Sequence, residues 1–142
     1  MDADKNLFFE LTYYTLAHPD QIYFIHQHVV DAYAAQQADE TTKPIGITFA
    51  LAGLYLFLEK GYSGRQVQQA HMQMAKHKQA WPSFKFPKYK GDITIQGVLA
   101  APPGNKRDTM IKEWGASVWN SHIENHENVR ALVNLILKLE SK

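Results

Sequence analysis

Histidine is the residue type in this chain whose placement points most directly to chemistry. Four of the seven histidines fall on apolar faces of three predicted helices, among valines, alanines, methionines and tryptophans. These four are His26, His71, His122 and His126. An imidazole in a protein core needs partners for its ring nitrogens, and one metal ion can serve several imidazoles at once. The pattern therefore predicts a divalent metal site inside a helical bundle.

The spacing of His122 and His126 makes them the first two predicted ligands. On one continuous helix, residues four apart lie on the same face, so both imidazoles reach a common ion. The pair lacks the glutamate after the first histidine that marks a zinc-protease helix. His26 would complete a three-histidine face, and His71 would be a fourth ligand or a proton-transfer group. Zinc, nickel and iron(II) are all compatible with such a site.

Two residues of the second predicted helix are candidates for orienting a ligand. Tyr33 shares the predicted inner face with His26, whereas His28 and Asp31 are predicted on the opposite, solvent-exposed side, within hydrogen-bonding reach of each other. Tyr33 or Asp31 would then act on the metal site through a ligand histidine. If the protein is an enzyme, the metal would serve as a Lewis acid or lower the pKa of a bound water or thiol. Either role favours a hydrolase or thiol transferase with a small-molecule substrate.

An alternative interpretation needs no metal. A single histidine in a core usually bonds a carbonyl, a tyrosine or a carboxylate, and Tyr13, Tyr14, Tyr33 and Tyr55 offer such partners. The chain would then be a non-catalytic helical protein that acts through dimerisation or partner binding, with structural histidines.

Length and composition favour one compact domain over residues 1–142. Of these residues, 45% are hydrophobic and 20% are charged, which is typical of a folded globular chain. The sequence contains no cysteine, so disulfides, thiolate zinc sites and cysteine nucleophiles are excluded. Any metal site must use histidine, carboxylate or water ligands.

The net charge of +1 hides an uneven distribution. Residues 1–40 carry seven acidic residues against Lys5, whereas residues 76–112 carry eight basic residues against Asp92 and Asp108. This asymmetry leaves open two solvated surfaces of opposite sign, self-association into a homodimer, or an anionic ligand over the basic stretch. The slight overall charge argues against nucleic acid binding, despite the lysines and aromatic residues of segment 81–90.

Nothing in the sequence indicates a membrane protein. The first ten residues lack the basic-then-apolar order of a secretory signal, and the longest apolar run, Ile45 to Leu58, has 14 residues. A run of this length is too short to cross a bilayer but suits a buried helix. We therefore expect a soluble, cytoplasmic protein.

The remaining pattern predicts an all-α bundle of about five helices with one long loop, residues 80–104. Pro19 with Asp20 favours the start of the second helix, Ser63 with Gln66 forms a capping box, and Asn105 with Asp108 indicates a cap for the last helix. The five helices are predicted at residues 4–17, 19–37, 42–61, 63–78 and 105–139. A short helix at residues 94–100 is the one regular element expected inside the loop, which would either be functional or wrap the bundle with its aromatic side chains.

The stretch His26-Gln-His-Val-Val-Asp31-Ala-Tyr33-Ala-Ala-Gln36 resembles a family of uncharacterised bacterial proteins of unknown function. In that family the motif His-x4-Asp-Ala-Tyr-x2-Gln recurs, and segments 54–61 and 114–119 match it as well. Gln37 and Ala50 stand where relatives are expected to carry histidine. The resemblance implies no particular reaction.

A more distant likeness is to DinB/YfiT-like proteins, which are metal-binding helical bundles. In these, one histidine of an early helix joins a His-x3-His pair of a late helix around a divalent metal, and some members use a low-molecular-weight thiol. That resemblance implies a ligand set of His26, His122 and His126.

Overall fold

The computed structural model describes residues 2–17, 24–77 and 81–139, and these residues form helices and loops with no strand. The all-α class is therefore confirmed. The described helices are α1 (Asp2–Ala17), α2 (Ile25–Gln37), α3 (Pro44–Lys60), α4 (Gly64–Ala75), α5 (Ile95–Ala100), α6 (Asn105–Ser121) and α7 (His126–Leu137), with a 3₁₀ turn at Ile123–Asn125. None of them combines the length and apolar character that crossing a membrane requires.

The ends of α3 and the start of α4 follow the local signals in the sequence. Pro44 occupies the first turn of α3, where its missing N–H group costs nothing. The helix ends at Gly61, which adopts a left-handed conformation (φ 72°) and donates its N–H to the carbonyl of Leu56. At α4, both bonds of the capping box between Ser63 and Gln66 are present.

The predicted last helix is not continuous, and this break together with α5 brings the number of helices in the described residues to seven, against the predicted five. It breaks at His122, whose φ of −97° and ψ of 28° end α6 before the 3₁₀ turn begins. The side chains of His122 and Asn125 bond elements outside this helix, and the turn lets both reach inward. The break therefore has a tertiary cause. The short helix inside the predicted loop is present as α5.

Two predicted helix starts also differ. The helix α2 begins at Ile25, after Phe24 in a left-handed conformation (φ 52°), and Pro19 and Asp20 lie outside the described residues. The helix α6 begins at Asn105 as predicted, but its N-cap is Gly104, with no side-chain cap bond. Asp108 instead accepts a hydrogen bond from the hydroxyl of Tyr14 (2.9 Å), so it joins α6 to α1.

The helix α2 lies at the centre of the molecule and packs on α1, α3, α4 and α6. Helix α3 packs on α2, α4, α6 and α7, so α2 and α3 together form the middle of the bundle. The largest fully buried side chains include Trp114 of α6 and Tyr55, Leu51 and Leu54 of α3. Burial of this apolar surface is the main stabilising contribution to the fold.

Candidate functional site

The most unusual residues of the core are polar side chains on one face of α2. His28, Asp31 and Gln36 are exposed by only 1%, 3% and 7%, respectively. The prediction that His28 and Asp31 lie at the surface was therefore wrong. The buried face of α2 also carries Val29 and the small residues Ala32 and Ala35, and α3 and α6 pack against this helix.

Asp31 is a carboxyl group enclosed at the contact between α2 and α3. It lies directly against Gly53, where a β-carbon would overlap the carboxyl oxygens. Its Oδ1 accepts a hydrogen bond from the amide of Gln27 (3.2 Å), and its Oδ2 has no hydrogen-bond partner among the described residues. Burial raises the pKa of Asp31 well above its usual value, since the low-dielectric surroundings disfavour the charged form. The site therefore favours a neutral, protonated carboxyl group.

His28 lies one turn before Asp31 on α2. Like Asp31, it packs against α3. Its ring stacks on Phe57 of α3, with a centroid distance of 3.6 Å and an interplanar angle of 11°. Phe57 is one turn after Gly53, so two successive turns of α2 face two successive turns of α3. Burial lowers the pKa of His28 to about 3. This imidazole is therefore neutral at physiological pH.

Gln36 joins three parts of the chain through one side-chain amide. Its Nε2 donates to the carbonyls of Lys90 (3.0 Å) and Ile93 (2.8 Å), and its Oε1 accepts from the indole N–H of Trp114 (3.0 Å). The end of α2, segment 81–94 and α6 are thus held together inside the core. Because its hydrogen bonds are made inside the core, this buried amide fixes the relative positions of the three segments.

His122 uses both ring nitrogens in hydrogen bonds. Its Nε2 contacts the carbonyl of Ala35 (3.0 Å), and because a carbonyl only accepts, this nitrogen carries the proton. Its Nδ1 then accepts from the side-chain amide of Asn125 (3.0 Å). Burial lowers the pKa of His122, which favours this neutral form. In this arrangement His122 has no lone pair left for a metal ion.

The other three predicted ligands bond elsewhere. His126 stacks on Trp119 (3.8 Å) and bonds its carbonyl through Nε2 (2.7 Å). His71 contacts the carbonyl of Phe49 through Nε2 (2.8 Å). The half-buried His26 lies 3.0 Å from Thr15, whose hydroxyl already donates to another carbonyl and therefore accepts from Nδ1. Burial lowers the pKa of all three histidines, which therefore favour the neutral form.

The structure does not bring the four predicted ligands to one point. Within the described residues, no three side chains of histidine, aspartate or glutamate form a group that could hold a metal ion. Tyr33, predicted to orient a ligand, stacks on Phe8 of α1 (4.2 Å) instead. Metal binding by His26, His71, His122 and His126 stays a prediction, to which this geometry adds no support.

Sequence reasoning missed the polar residues that organise the core. Asn125 bonds both the N–H and the carbonyl of Lys85 (2.8 and 2.7 Å) and so fixes the start of the long loop. The one available signal was Gly53, a small residue in an apolar helix, which indicates a close approach by another element. No local pattern identifies Gln36 or Asn125, because their partners are distant in sequence.

These features define an all-helical protein whose apolar core encloses polar residues of one central helix. The chain belongs to a family of unknown function, DUF5946, whose family model matches residues 5–122, from α1 to the end of α6. The comparisons with curated proteins and with solved structures give no match. The predicted membership of an uncharacterised family is thereby confirmed, whereas the His-x4-Asp-Ala-Tyr-x2-Gln motif and the DinB/YfiT-like relation stay predictions.

Proposed function

We propose that this protein is a non-catalytic helical module that self-associates through α1. The observation that carries the proposal is an exposed apolar stripe on this helix, formed by Phe9, Tyr13 and Leu16. Their side chains are 56%, 75% and 55% exposed, respectively. We call these three residues the α1 stripe.

The α1 stripe is comparable in size to the largest apolar patch of an ordinary monomer, and such patches are often functional. Its three side chains present on the order of 300 Å² of surface, judged from the usual size of such residues. A contiguous apolar patch of this kind is typical of an interaction surface. A standard interface takes about 800 Å² from each partner. The α1 stripe would form the apolar centre of such an interface, and the neighbouring residues of α1 would form its rim.

A second copy of the chain is the partner that this geometry favours. The stripe residues are four and three apart, which is the spacing of a seam between two packed helices. A twofold axis close to Tyr13 would place Phe9 of one chain against Leu16 of the other. Such an arrangement buries the same three residues twice, as a closed symmetric dimer does.

The histidines support the non-catalytic part of the proposal. Each of the four predicted ligands forms its own hydrogen bond, and three of these bonds end on backbone carbonyls. A neutral imidazole that donates to a carbonyl satisfies a buried polar group and joins two segments. This role accounts for histidines on apolar faces without a shared ion.

Sedimentation equilibrium of the protein and two variants tests self-association. We expect a reversible dimer that Tyr13→Asp weakens by about tenfold or more, because the substitution places a charge in the seam. Leu135→Asp is the matched control, since Leu135 is 73% exposed on α7, away from the α1 stripe. A monomer at every concentration, or equal weakening by both variants, would contradict the proposal.

Metal analysis tests the role of the histidines separately. We expect protein purified without a histidine tag to carry far less than one metal ion per chain. Zinc, nickel or iron bound at close to one ion per chain, and lost on replacing both His122 and His126, would overturn the non-catalytic interpretation and support the metal prediction.

A further inference from the structure

A groove on the side of α6 combines apolar walls with acidic side chains. It lies between residues 87–93 and the second half of α6, reaches the 3₁₀ turn, and has a volume of about 690 Å³. Tyr89 and Ile123 line it and are 60% and 70% exposed, respectively. We call this surface the α6 groove.

The loop that forms one wall of the α6 groove is fixed in place. The N–H of Asp92 donates to the hydroxyl of Ser117 (2.9 Å), and the ammonium group of Lys90 donates to the carbonyl of Ala38 (2.8 Å). Gly91 adopts a left-handed conformation (φ 97°) so close to Ser117 that a β-carbon would collide with its hydroxyl. A wall held at these points is preformed, which lowers the entropic cost of binding.

Charge along the α6 groove is predominantly negative. Asp92, Glu113 and Glu124 line it, against one lining base, Lys88. Lys85 also pairs with Glu124 (3.2 Å), but both side chains are about 70% exposed, so solvent screens this pair and another cation can replace it. A cationic partner is therefore the electrostatic complement of this surface.

The spacing of the acidic groups suits an extended peptide. Glu113 and Ser117 are four residues apart, which is about 6 Å along α6. The backbone of Asp92 is anchored at Ser117, and Glu124 follows the end of α6, so the three acidic residues are distributed along the length of the α6 groove. In an extended chain, side chains on one side recur at about 7 Å, close to this step.

We propose that the α6 groove binds an extended basic segment of a partner protein. Lysine or arginine side chains at alternate positions would meet Glu113, Asp92 and Glu124, and the apolar side chains between them would cover Tyr89 and Ile123. The proposal is independent of self-association through the α1 stripe, which lies on another helix.

Fluorescence anisotropy with a labelled peptide of alternating lysine and leucine tests this proposal. We expect saturable binding that weakens about tenfold in the double variant Asp92→Asn/Glu113→Gln, since two exposed ion pairs each contribute a few-fold. Tyr89→Ala should weaken binding through loss of apolar contact. The matched control is Glu127→Gln, because Glu127 is an exposed acid of α7 that does not line the α6 groove.

Three results would overturn the proposal. The first is equal binding of a peptide in which glutamate replaces lysine. The second is equal weakening by Glu127→Gln and by the double variant. The third is spermidine binding as tightly as the peptide, which would indicate general attraction of small cations. Tyr13→Asp should leave peptide binding unchanged, so failure of self-association and failure of the groove proposal are distinguishable.

Discussion

Asp31 places an ionisable group in the core, where its side chain is only 3% exposed and its Oδ2 has no hydrogen-bond partner among the described residues. Because the native pKa is raised, the unfolded state loses its proton first as the pH rises above about 4, the ordinary aspartate value. Between that pH and the native pKa, the native state holds one more proton than the unfolded state, so stability falls as the pH rises. Below about pH 4 the Asp31 carboxyl group is protonated in both states, so its contribution to the free energy of unfolding no longer changes with pH.

The substitution Asp31→Asn keeps the shape of the side chain and removes the titration. We expect the variant to gain stability relative to the natural protein as the pH rises above about 4, by about 1 kcal/mol per pH unit until the native pKa is reached. Urea unfolding at several pH values measures this difference. A difference that stays the same at every pH would show that Asp31 titrates normally.

The sequence predicted the burial of some individual residues correctly and that of others wrongly. The burial of His122 and His126 was expected and is present. The burial of His28 and Asp31 was not expected, because hydropathy assigns the inner face of a helix to its largest apolar residues. Here close packing against α3 and α6 defines the inner face of α2, and this face includes polar residues whose partners hydropathy does not show.

At the scale of elements, the approach of α2 to α3 depends on the missing side chain of Gly53. We expect Gly53→Ala to destabilise the fold by about 2 kcal/mol or more, since the added methyl group overlaps the Asp31 carboxyl group. Chemical denaturation measures the loss. The control is Gly115→Ala in α6, whose β-carbon would meet Leu54 and Phe57 at ordinary contact distances of 3.6 and 3.7 Å.

Gly115→Ala should be neutral or stabilising by up to about 1 kcal/mol, because alanine favours a helix more than glycine does. Similar losses in both glycine variants would mean that general crowding, and not the Asp31 contact, limits the bundle. Combining Gly53→Ala with Asp31→Ala should recover part of the loss, because the double variant removes the overlapping group.

Asn125 fixes the break between α6 and α7 to the start of the long loop. We expect Asn125→Ala to cost about 3 kcal/mol in thermal or urea unfolding, since it leaves the backbone of Lys85 and the Nδ1 of His122 without their partner. Asn128→Ala is the control, because Asn128 is exposed on α7. Equal effects of the two substitutions would contradict a structural role for Asn125.

Helix ends with local causes were predictable and those with tertiary causes were not. Pro44, Gly61 and the Ser63 capping box act within a few residues of chain, so the sequence shows them directly. The break at His122 serves bonds to Ala35 and Lys85, more than 35 residues away. A helical period continues across such a break, and a single sequence carries no sign of it.

At the scale of the whole molecule, the buried histidines make the stability of the fold depend on pH. The native pKa values of His26, His28, His71, His122 and His126 are all lowered by burial. Below about pH 6.5 the unfolded state binds protons that the native histidines do not, so the histidine contribution to stability is complete above that pH and is lost as the pH decreases. For His28 the decline continues to about pH 3.

We expect the melting temperature to fall steeply between about pH 7 and about pH 5, with a loss of about 1 kcal/mol per pH unit for each fully buried histidine. Replacing His28 by phenylalanine should reduce this slope while keeping the stack on Phe57. The matched control is His77→Gln, because His77 is exposed. A melting temperature independent of pH in this range would refute the expectation.

The ties of Gln36, Tyr14 and Glu59 to residues late in the chain have a practical consequence. Each joins a residue before position 60 to one after position 107, so the two halves of the polypeptide are held together by a buried indole, a buried phenol and a partly exposed guanidinium group. Trypsin acting at the exposed Lys88 would cut one peptide bond without releasing either piece. Fragments 1–88 and 89–142, produced separately, should then recombine into a nicked protein with the native helix content.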